Sequence, residues 1–351
     1  MRYLKKTTSR SAHPLMLLCG ALLAACNAQG DKPKGDATSA AAAPVIGLIT
    51  KTEMNPYFVK MKEGAQATAT AKGAKIISAA GKSDGDNAGQ VTAIENMITA
   101  GAKTILITPN DSKAIVPALR KAREQGTMIV ALDSPTDPTD ATDALFATDN
   151  YKAGLLIGQY AKAAMADKPA KIATIDLFPG HPVGAQRHNG FMKGFGLPSL
   201  EATSNELAKD PAVVCMADSF GDQSKGQTAM ENCLQKAPDI NVVYTINEPA
   251  AAGAYQALKA AGKEKGVVIV SIDGGCAGVK NVKAGVIAAT SQQYPLKMAV
   301  MGVEAGIAYA KAGKKASGYT DTGVTLISDK ALPGIDTKDS AFGMENCWGE
   351  K

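Results

Sequence analysis

The stretch VIGLITKTEMNPYFVKMKEGA, residues 45–65, contains the pattern that decides the fold. Residues 45–50 are apolar or small throughout, which is typical of a strand buried on both faces of a parallel sheet. A polar segment begins at Lys51, and an amphipathic segment of helix length follows over 57–72. A buried strand, a polar turn and an amphipathic helix form the repeating unit of α/β folds.

The strand and helix unit recurs along the rest of the chain. Further strands are predicted at 74–78, 104–108 and 128–132, with helices at 87–100 and 112–125. The first three helices are each followed by a glycine of the kind that caps helix ends, namely Gly73, Gly101 and Gly126.

A second series of the same kind follows residues 146–150. Its strands are predicted at 171–177, 241–246, 267–273 and 288–290, and its helices at 184–196, 223–236, 249–261, 276–284 and 295–312. An alternation sustained twice predicts an α/β fold of two doubly wound parallel-sheet lobes. No linker rich in Gly, Pro or Ser separates the two series, so short ordered crossings are expected to join the lobes.

The first 25 residues are predicted to be an export signal. Four cations, at positions 2, 5, 6 and 10, precede an apolar run over 14–25 that is too short to span a bilayer. The run ends in LAAC at 23–26, which resembles a bacterial lipobox, so Cys26 is expected to carry a lipid anchor. Residues 26–44 have few large apolar side chains and predict a flexible tether. The alternative is an ordinary signal peptide followed by an incidental cysteine.

Without the signal, the chain is close to electrically neutral. Its formal net charge is +5, but residues 1–25 hold four of the 38 Lys and Arg and none of the 33 Asp and Glu. No basic stripe with interleaved aromatic residues is present, so nucleic-acid binding gains no support. Outside the signal, no stretch approaches the length of a transmembrane helix.

Polar side chains follow the predicted strands at the edge where open α/β sheets bind ligands. They are Lys51 to Phe58, Asp133 and Ser134, Arg187 and His188, Asn247 and Glu248, Asp273, and Gln292 and Gln293. Carboxylate, guanidinium and amide groups with aromatic rings suit an uncharged ligand that carries several hydroxyl groups. Neither a GxxxxGK[ST] loop nor a GxGxxG turn after a strand is present, so no nucleotide cofactor is predicted.

Several longer segments resemble one known family. They are NPYFVKMKEGA (55–65), QVTAIENMI (90–98), ALDSP (131–135), ATDN (147–150), RHNGF (187–191), KGQTAMENCL (225–234), YTINEPAAAGA (244–254), SIDGGCAGV (271–279) and SQQYPLKMA (291–299). From Val45 onward the chain resembles the periplasmic sugar-binding proteins of ABC importers, of the ribose/galactose type, and most closely the fructose-binding branch. The resemblance implies the periplasmic binding protein type I fold.

The resemblance also implies a division into lobes. The N-terminal lobe is expected to comprise 45–148 and 294–322, and the C-terminal lobe 149–293 and 323–351. Three hinge crossings, near 147–150, 291–293 and 321–324, are expected to let the lobes close on a ligand, the hinge motion known for periplasmic binding proteins.

The ligand contacts implied by the resemblance come from both lobes. They are Asn55, Tyr57, Phe58 and Asp133 from the first, and Arg187, Asn247, Asp273 and Gln293 from the second. Each has a structural alternative. Asp133 and Asp273 could act only as turn residues. Asn247 could cap the next helix, and Arg187 could be a solvated cation. Tyr57 and Phe58 could both belong to the core.

Three further contacts are expected at positions where the family varies. Ribose binders usually have an Arg after the first carboxylate, and Ser134 here removes that bidentate donor, which favours fructose. His188, in the RH pair of the fructose-like branch, is expected to add a hydrogen bond, although a histidine at a helix start is often only partly exposed. Phe220 is nearest to the family aromatic that precedes KGQTAMEN.

The cysteines beyond the signal indicate an oxidising compartment. Cys215, Cys233, Cys276 and Cys347 form an even set, which allows three pairings. We favour Cys215 with Cys233, which joins a strand end to the following helix, and Cys276 with Cys347, which would hold the C-terminal tail. A metal site is not predicted, because no CxxC spacing and no neighbouring histidine is present.

The expected function is therefore capture of a monosaccharide, most specifically fructose, in the cleft between the lobes. The expected partners are an ABC transporter permease with its ATPase, and a membrane through the lipid anchor of a monomer in the periplasm. No cofactor and no catalysis are expected, although Asp133 and Asp273 would formally allow a glycosidase pair. The alternatives are a sugar receptor for chemotaxis or sensor signalling, and a binder of another monosaccharide such as ribose.

Overall fold

The structure, a computed structural model, describes residues 42–350. The predicted signal peptide (1–25), the predicted anchor Cys26 and most of the predicted tether lie outside the described residues. The described chain forms two α/β lobes, each built on a six-stranded sheet, as the alternation of strands and helices predicts.

All strands of the N-terminal sheet run parallel. They are β1 (Val45–Thr50), β2 (Lys75–Ala80), β3 (Thr104–Ile107), β4 (Met128–Leu132), β5 (Ala144–Ala147) and β11 (Gly318–Asp321), in the order β11-β5-β4-β3-β1-β2. The helices that cover this sheet are α1 (Pro56–Ala71), α2 (Asn87–Thr99), α3 (Val116–Glu124) and α9 (Pro295–Ala312).

Helices on both faces explain why β1 is apolar throughout. Ile46 and Leu48 belong to a core cluster with Met298 of α9, whereas Ile49 points to the other face and packs with Ile94 of α2. Successive side chains of a strand alternate between faces, so a sheet covered twice has no polar face.

The C-terminal sheet has one antiparallel strand. Its strands are β6 (Ile172–Asp176), β7 (Val213–Asp218), β8 (Val242–Thr245), β9 (Val268–Asp273), β10 (Ala289–Gln292) and β12 (Thr325–Ile327), in the order β12-β10-β9-β8-β6-β7. Only β12 runs against its neighbour, which is β10. The predicted fold of two doubly wound parallel-sheet lobes is confirmed, with β12 as an antiparallel edge strand, because it enters directly from the other lobe without the crossover helix that a parallel neighbour needs.

Six helices belong to this lobe. They are α4 (Asn150–Met165), α5 (Pro182–Phe195), α6 (Gln223–Lys236), α7 (Glu248–Ala260), α8 (Cys276–Lys283) and α10 (Ser340–Asn346). Helix α4 was not predicted from the sequence. The glycines of α4 let this helix approach α5 closely: a Cβ at Gly154 would lie 2.0 Å from the carbonyl oxygen of Arg187. This close packing fixes the helix that carries Arg187.

The described chain passes between the two sheets three times. The crossings lie between β5 and α4, between β10 and α9, and between β11 and β12. Each is short, so the facing edges of the two sheets stay close together. No helix among residues 42–350 is long and apolar enough to cross a membrane.

Both disulfides lie in the C-terminal lobe. Cys215 is bonded to Cys233, and Cys276 to Cys347, the pairing that the sequence analysis favours. Cys215 lies within β7 and not at its end, so the first bond joins the middle of a strand to α6. The second ties the segment beside Trp348 to the start of α8.

Candidate ligand-binding site between the lobes

The carboxyl ends of the central strands of both sheets face each other across a small polar cavity of about 40 Å³. Eight of the residues predicted from the sequence line this cavity, namely Asn55, Tyr57, Phe58, Asp133, Arg187, Asn247, Asp273 and Gln293. Groups that can accept or donate hydrogen bonds therefore come from both lobes.

The first turn of α1 supplies an amide and two aromatic rings. Asn55 caps the helix, since its Oδ1 accepts from the Tyr57 N–H at 3.0 Å. Tyr57 and Phe58 are buried and pack edge to face, with 5.2 Å between ring centroids. Burial, followed by the charge of Asp133, raises the pKa of Tyr57 well above its usual value. Its hydroxyl therefore remains a donor, here to Gln293 Oε1 at 3.3 Å.

Asp133 follows β4 and has a backbone φ of 64°. Left-handed backbone at a non-glycine residue is uncommon and is concentrated at functional sites. Ser134 Oγ donates to Asp133 Oδ2 at 2.8 Å, and Lys51 Nζ lies 4.0 Å from the same oxygen. Asp133 is thus a buried carboxylate with one hydroxyl donor and one cation beside it.

Lys51 extends from the end of β1 and meets the C-terminal lobe. Its Nζ lies 3.1 Å from Nε2 of His181, the residue that caps α5. Only 4% of Lys51 is exposed, and this burial lowers its pKa, while Asp133 opposes the shift. Burial, followed by the positive charge of Lys51, holds the pKa of His181 well below its usual value. A hydrogen bond between these nitrogens requires a lone pair on one of them, so it is lost when both are protonated.

Arg187 is held by its own lobe. Its Nε donates to Asn150 Oδ1 at 2.8 Å, and its Nη1 donates to the carbonyl oxygen of Ile246 at 2.9 Å. Nη1 also lies 3.8 Å from Asp273 Oδ1. These contacts fix the guanidinium plane beside the cavity.

Asp273 ends β9 and is joined to a chain of polar groups. Gln293 Nε2 donates to Asp273 Oδ1 at 2.7 Å, and Gln293 Oε1 accepts from the Thr148 hydroxyl at 3.1 Å. Burial raises the pKa of Asp273 to about 6, although Arg187 opposes the shift. Gln293 therefore links this carboxylate to Tyr57 and Thr148, which belong to elements of the other lobe.

Asn247 is a helix cap that also lies beside the cavity. Its Oδ1 caps α7 by accepting from the Ala250 N–H at 3.0 Å. Its Nδ2 donates to the carbonyl oxygen of Gly221 at 3.0 Å and lies at the cavity wall.

Three predicted contacts lie elsewhere, and the structure corrects them. Both ring nitrogens of His188 are engaged within the lobe, with Asp176 Oδ1 and with the carbonyl oxygen of Ala208, each at 2.9 Å. Ser134 is buried against Asp133 and does not line the cavity.

Phe220 is 38% exposed and lines a larger groove between the lobes, of about 830 Å³, that opens outside the cavity. Its ring stacks on Phe178 with centroids 5.6 Å apart, and Lys225 Nζ lies 4.2 Å from its centroid. Phe220 is therefore placed at the mouth of the site and not at the cavity wall.

A family model described as a periplasmic binding protein domain matches residues 46–315. The chain belongs to the periplasmic binding protein family. The ribose import binding protein of Salmonella typhimurium is 31% identical over 80% of this chain and 90% of its own length. The D-allose-binding periplasmic protein of Escherichia coli is 28% identical over 79% of this chain and 88% of its own length.

Solved structures give the same result for the fold. A periplasmic solute-binding protein of an ABC transporter from Actinobacillus succinogenes, crystallised with D-allose, has a TM-score of 0.71 and 27% identity, covering 81% of this chain and 97% of its own. A solute-binding protein from Agrobacterium vitis with bound D-fucose has a TM-score of 0.71 and 26% identity, covering 87% and 100%. These relatives are binding proteins and not enzymes, in agreement with the expectation that this chain is not one.

Three polar residues were not among the predicted ligand contacts. Lys51, which begins the polar segment named after the first strand, and Asp84 line the cavity, and His181 contacts Lys51. Lys51 and His181 are 130 positions apart in sequence, so no local pattern joins them. The available signal was the position of Lys51 directly after a buried strand and of His181 before Pro182 at a helix start.

Proposed function

We propose that this protein captures a monosaccharide, fructose in preference to other sugars, between its lobes and delivers it to the permease of an ABC importer. The observation that carries the proposal is the donor and acceptor set of the cavity. Two carboxylates, Asp133 and Asp273, face it from opposite lobes, and each has a cation within 4.0 Å, Lys51 and Arg187 respectively. Carboxylates paired with cations suit a ligand that brings hydroxyl groups, and Asp84 adds a third carboxyl group at the cavity, whose pKa is raised by burial.

The proposed ligand contacts are the eight predicted residues at the cavity, to which we add Lys51 and Asp84. Tyr57 and Phe58 offer buried rings for the apolar face of a sugar. The preference for fructose rests on Ser134, which occupies a position where ribose binders usually have an arginine. Ribose is the second candidate, and it is favoured by the 31% identity to ribose import binding proteins.

Closure of the lobes is part of the proposal. We propose the lobe boundaries 45–148 with 294–322 and 149–293 with 323–351, with hinges at the three crossings. A sugar that contacts both carboxylates binds the closed form better than the open form and so shifts the equilibrium toward closure. Outside the described residues, Cys26 is proposed to anchor the protein to a membrane on its extracytoplasmic side.

Calorimetric titration of the purified protein with fructose, ribose, allose, glucose and sucrose tests this function. We expect saturable binding of fructose with the lowest Kd of the panel, and intact sucrose at the end of the experiment. A lower Kd for ribose would make ribose the proposed ligand and leave the proposed function of sugar capture unchanged. Absence of binding to every monosaccharide, or turnover of sucrose, would refute the proposed function.

A further inference from the structure

Glu248, the first residue of α7, directs its carboxylate to the loop that follows β9. Its Oε1 accepts from the Gly274 N–H at 2.8 Å and from the Thr290 hydroxyl at 2.9 Å. Its Oε2 accepts from the Gly275 N–H at 3.0 Å. One side chain therefore satisfies two consecutive backbone donors and a hydroxyl of β10.

The loop that Glu248 holds has an unusual backbone. Asp273 has a φ of 141° and Gly274 a φ of 66°, both in the region that favours glycine. A Cβ at Gly274 would lie 2.3 Å from the side chain of Gln292. Backbone of this kind persists only where the surroundings hold it in place. The two backbone hydrogen bonds that Glu248 accepts hold the chain directly after Asp273.

The space around the carboxylate is shaped for it. A Cβ at Gly278, on α8, would lie 1.8 Å from the Glu248 carboxyl carbon. Any side chain at position 278 would occupy the space of the Glu248 carboxylate, so only glycine leaves room for it.

The two acids share their electrostatic environment. Burial, followed by the negative charge of Asp273, raises the pKa of Glu248 to about 8, whereas the pKa of Asp273 is raised to about 6. The charge of Asp273 thus acts on the carboxyl group that holds its own loop.

We propose that Glu248 is a positioning residue for ligand binding, which fastens the Asp273 loop to the helix that begins after Asn247. Asn247 and Asp273 are then held at a fixed separation as two parts of one binding wall. The inference rests on the proposed function, because both residues are proposed ligand contacts. Glu248 itself acts through Asp273.

The test compares Glu248→Ala and Glu248→Gln with the wild type, with Glu231→Ala on the exposed side of α6 as the control. Glu248→Ala leaves buried N–H groups without an acceptor, so we expect the Kd for the best-bound monosaccharide to rise about tenfold to a hundredfold. Glu248→Gln retains one acceptor oxygen and should recover most of this loss, to within about threefold to tenfold of the wild type. Glu231→Ala should bind as the wild type does.

A double-mutant cycle separates positioning from a general structural role. In the Asp273→Asn background, with weak binding followed by ligand-detected NMR at high sugar concentration, Glu248→Ala should raise the Kd by less than about threefold. Wild-type affinity in Glu248→Ala, or the same loss in both backgrounds, would overturn the inference.

Amide hydrogen exchange tests the same inference without ligand. The Gly274 and Gly275 amides should exchange faster in Glu248→Ala, while amides in β6 stay protected. Unchanged exchange at both glycines would also overturn the inference. If the wild type binds no sugar, the proposed function fails, and the exchange data still decide whether Glu248 fastens the loop.

Discussion

Asp133 and Asp273 occupy equivalent places in the two lobes but are held in different ways. Each follows the third strand in its sheet order, β4 or β9, and each has a positive φ, 64° and 141°. Asp273 receives a hydrogen bond from Gln293 and lies beside Arg187, which its own lobe holds through two hydrogen bonds. Asp133 has Ser134 and the amine of Lys51, which meets His181 of the opposite lobe.

The two walls of the cavity are therefore held in place by different sets of contacts. The polar contacts of Asp273 and Arg187 come from their own lobe and from Gln293 at a crossing, which also accepts a hydrogen bond from Tyr57 of the other lobe. Asp133 is contacted by Ser134 and Lys51 of its own lobe, and Lys51 in turn contacts His181 of the other lobe. Preorganisation lowers the entropic cost of binding, whereas a contact that forms on closure makes affinity depend on the closed state.

Removal of either carboxylate should have the largest effect. Asp133→Ala deletes a charged acceptor for sugar hydroxyl groups, so we expect the Kd to rise at least about a hundredfold. Asp273→Ala should do the same, and the free energy of unfolding should change little in either variant. Calorimetric titration measures the loss, with Asp140→Ala, an exposed carboxylate of the N-terminal lobe, as the control. Retention of wild-type affinity in Asp133→Ala would show that the ligand contacts one lobe only.

Removal of the disulfide beside the Asp273 loop tests whether the C-terminal wall depends on that bond. Replacing both Cys276 and Cys347 by Ser should lower the free energy of unfolding by about 4 kcal/mol in the entropic model. It should also weaken sugar binding, because Cys276 begins α8 directly after the Asp273 loop. Urea unfolding and calorimetry measure the two effects.

The matched control is the Cys215 and Cys233 pair, replaced by Ser in the same way. It should lower stability by about 3 kcal/mol and leave the Kd unchanged, since it lies away from the cavity. Equal losses of affinity in the two double variants would mean that the Asp273 loop does not depend on its neighbouring disulfide.

These comparisons show how far the sequence leads. Buried apolar runs and glycine caps predicted most strands and helices, because periodicity and caps are local properties. Helix α4 was missed because its packing on α5 depends on glycines whose partner is distant in the chain. His188 was assigned to the ligand from the RH pair of the fructose-like branch, whereas its ring nitrogens contact Asp176 and the carbonyl oxygen of Ala208, which no local pattern links to it. The contact of Lys51 with His181 depends on the relative placement of two lobes, which no local pattern encodes.

The Lys51 and His181 contact predicts that binding weakens in acid. Burial lowers the pKa of His181 where it meets Lys51. We expect opening of the lobes to relieve this burial, so that the open form binds a proton more readily and affinity falls as pH drops below the ordinary histidine value. We expect up to about a tenfold loss per pH unit below about pH 6.5.

The variant His181→Asn removes the titrating imidazole, and asparagine can still cap α5. In this variant the decline of affinity below about pH 6.5 should be smaller than in the wild type. Calorimetry between pH 5 and pH 8 measures the profile. The same profile in both proteins would contradict a role for His181 in closure.

The smallest effect is expected for the hydroxyl beside Asp133. Ser134→Ala removes one hydrogen bond to the carboxylate, so the Kd should rise by about threefold to tenfold. Thr174→Ala, a buried hydroxyl in β6 away from the cavity, serves as the control. A loss as large as that of Asp133→Ala would mean that Ser134 contacts the sugar itself.

The most direct test is a crystal structure of the protein with fructose bound. We predict one sugar in the interlobe cavity, with hydroxyl groups within hydrogen-bond distance of both Asp133 and Asp273. The contact between Lys51 and His181 should be intact. A sugar held by one lobe alone, or seated in the outer groove against Phe220 with the two carboxylates free of it, would contradict the account.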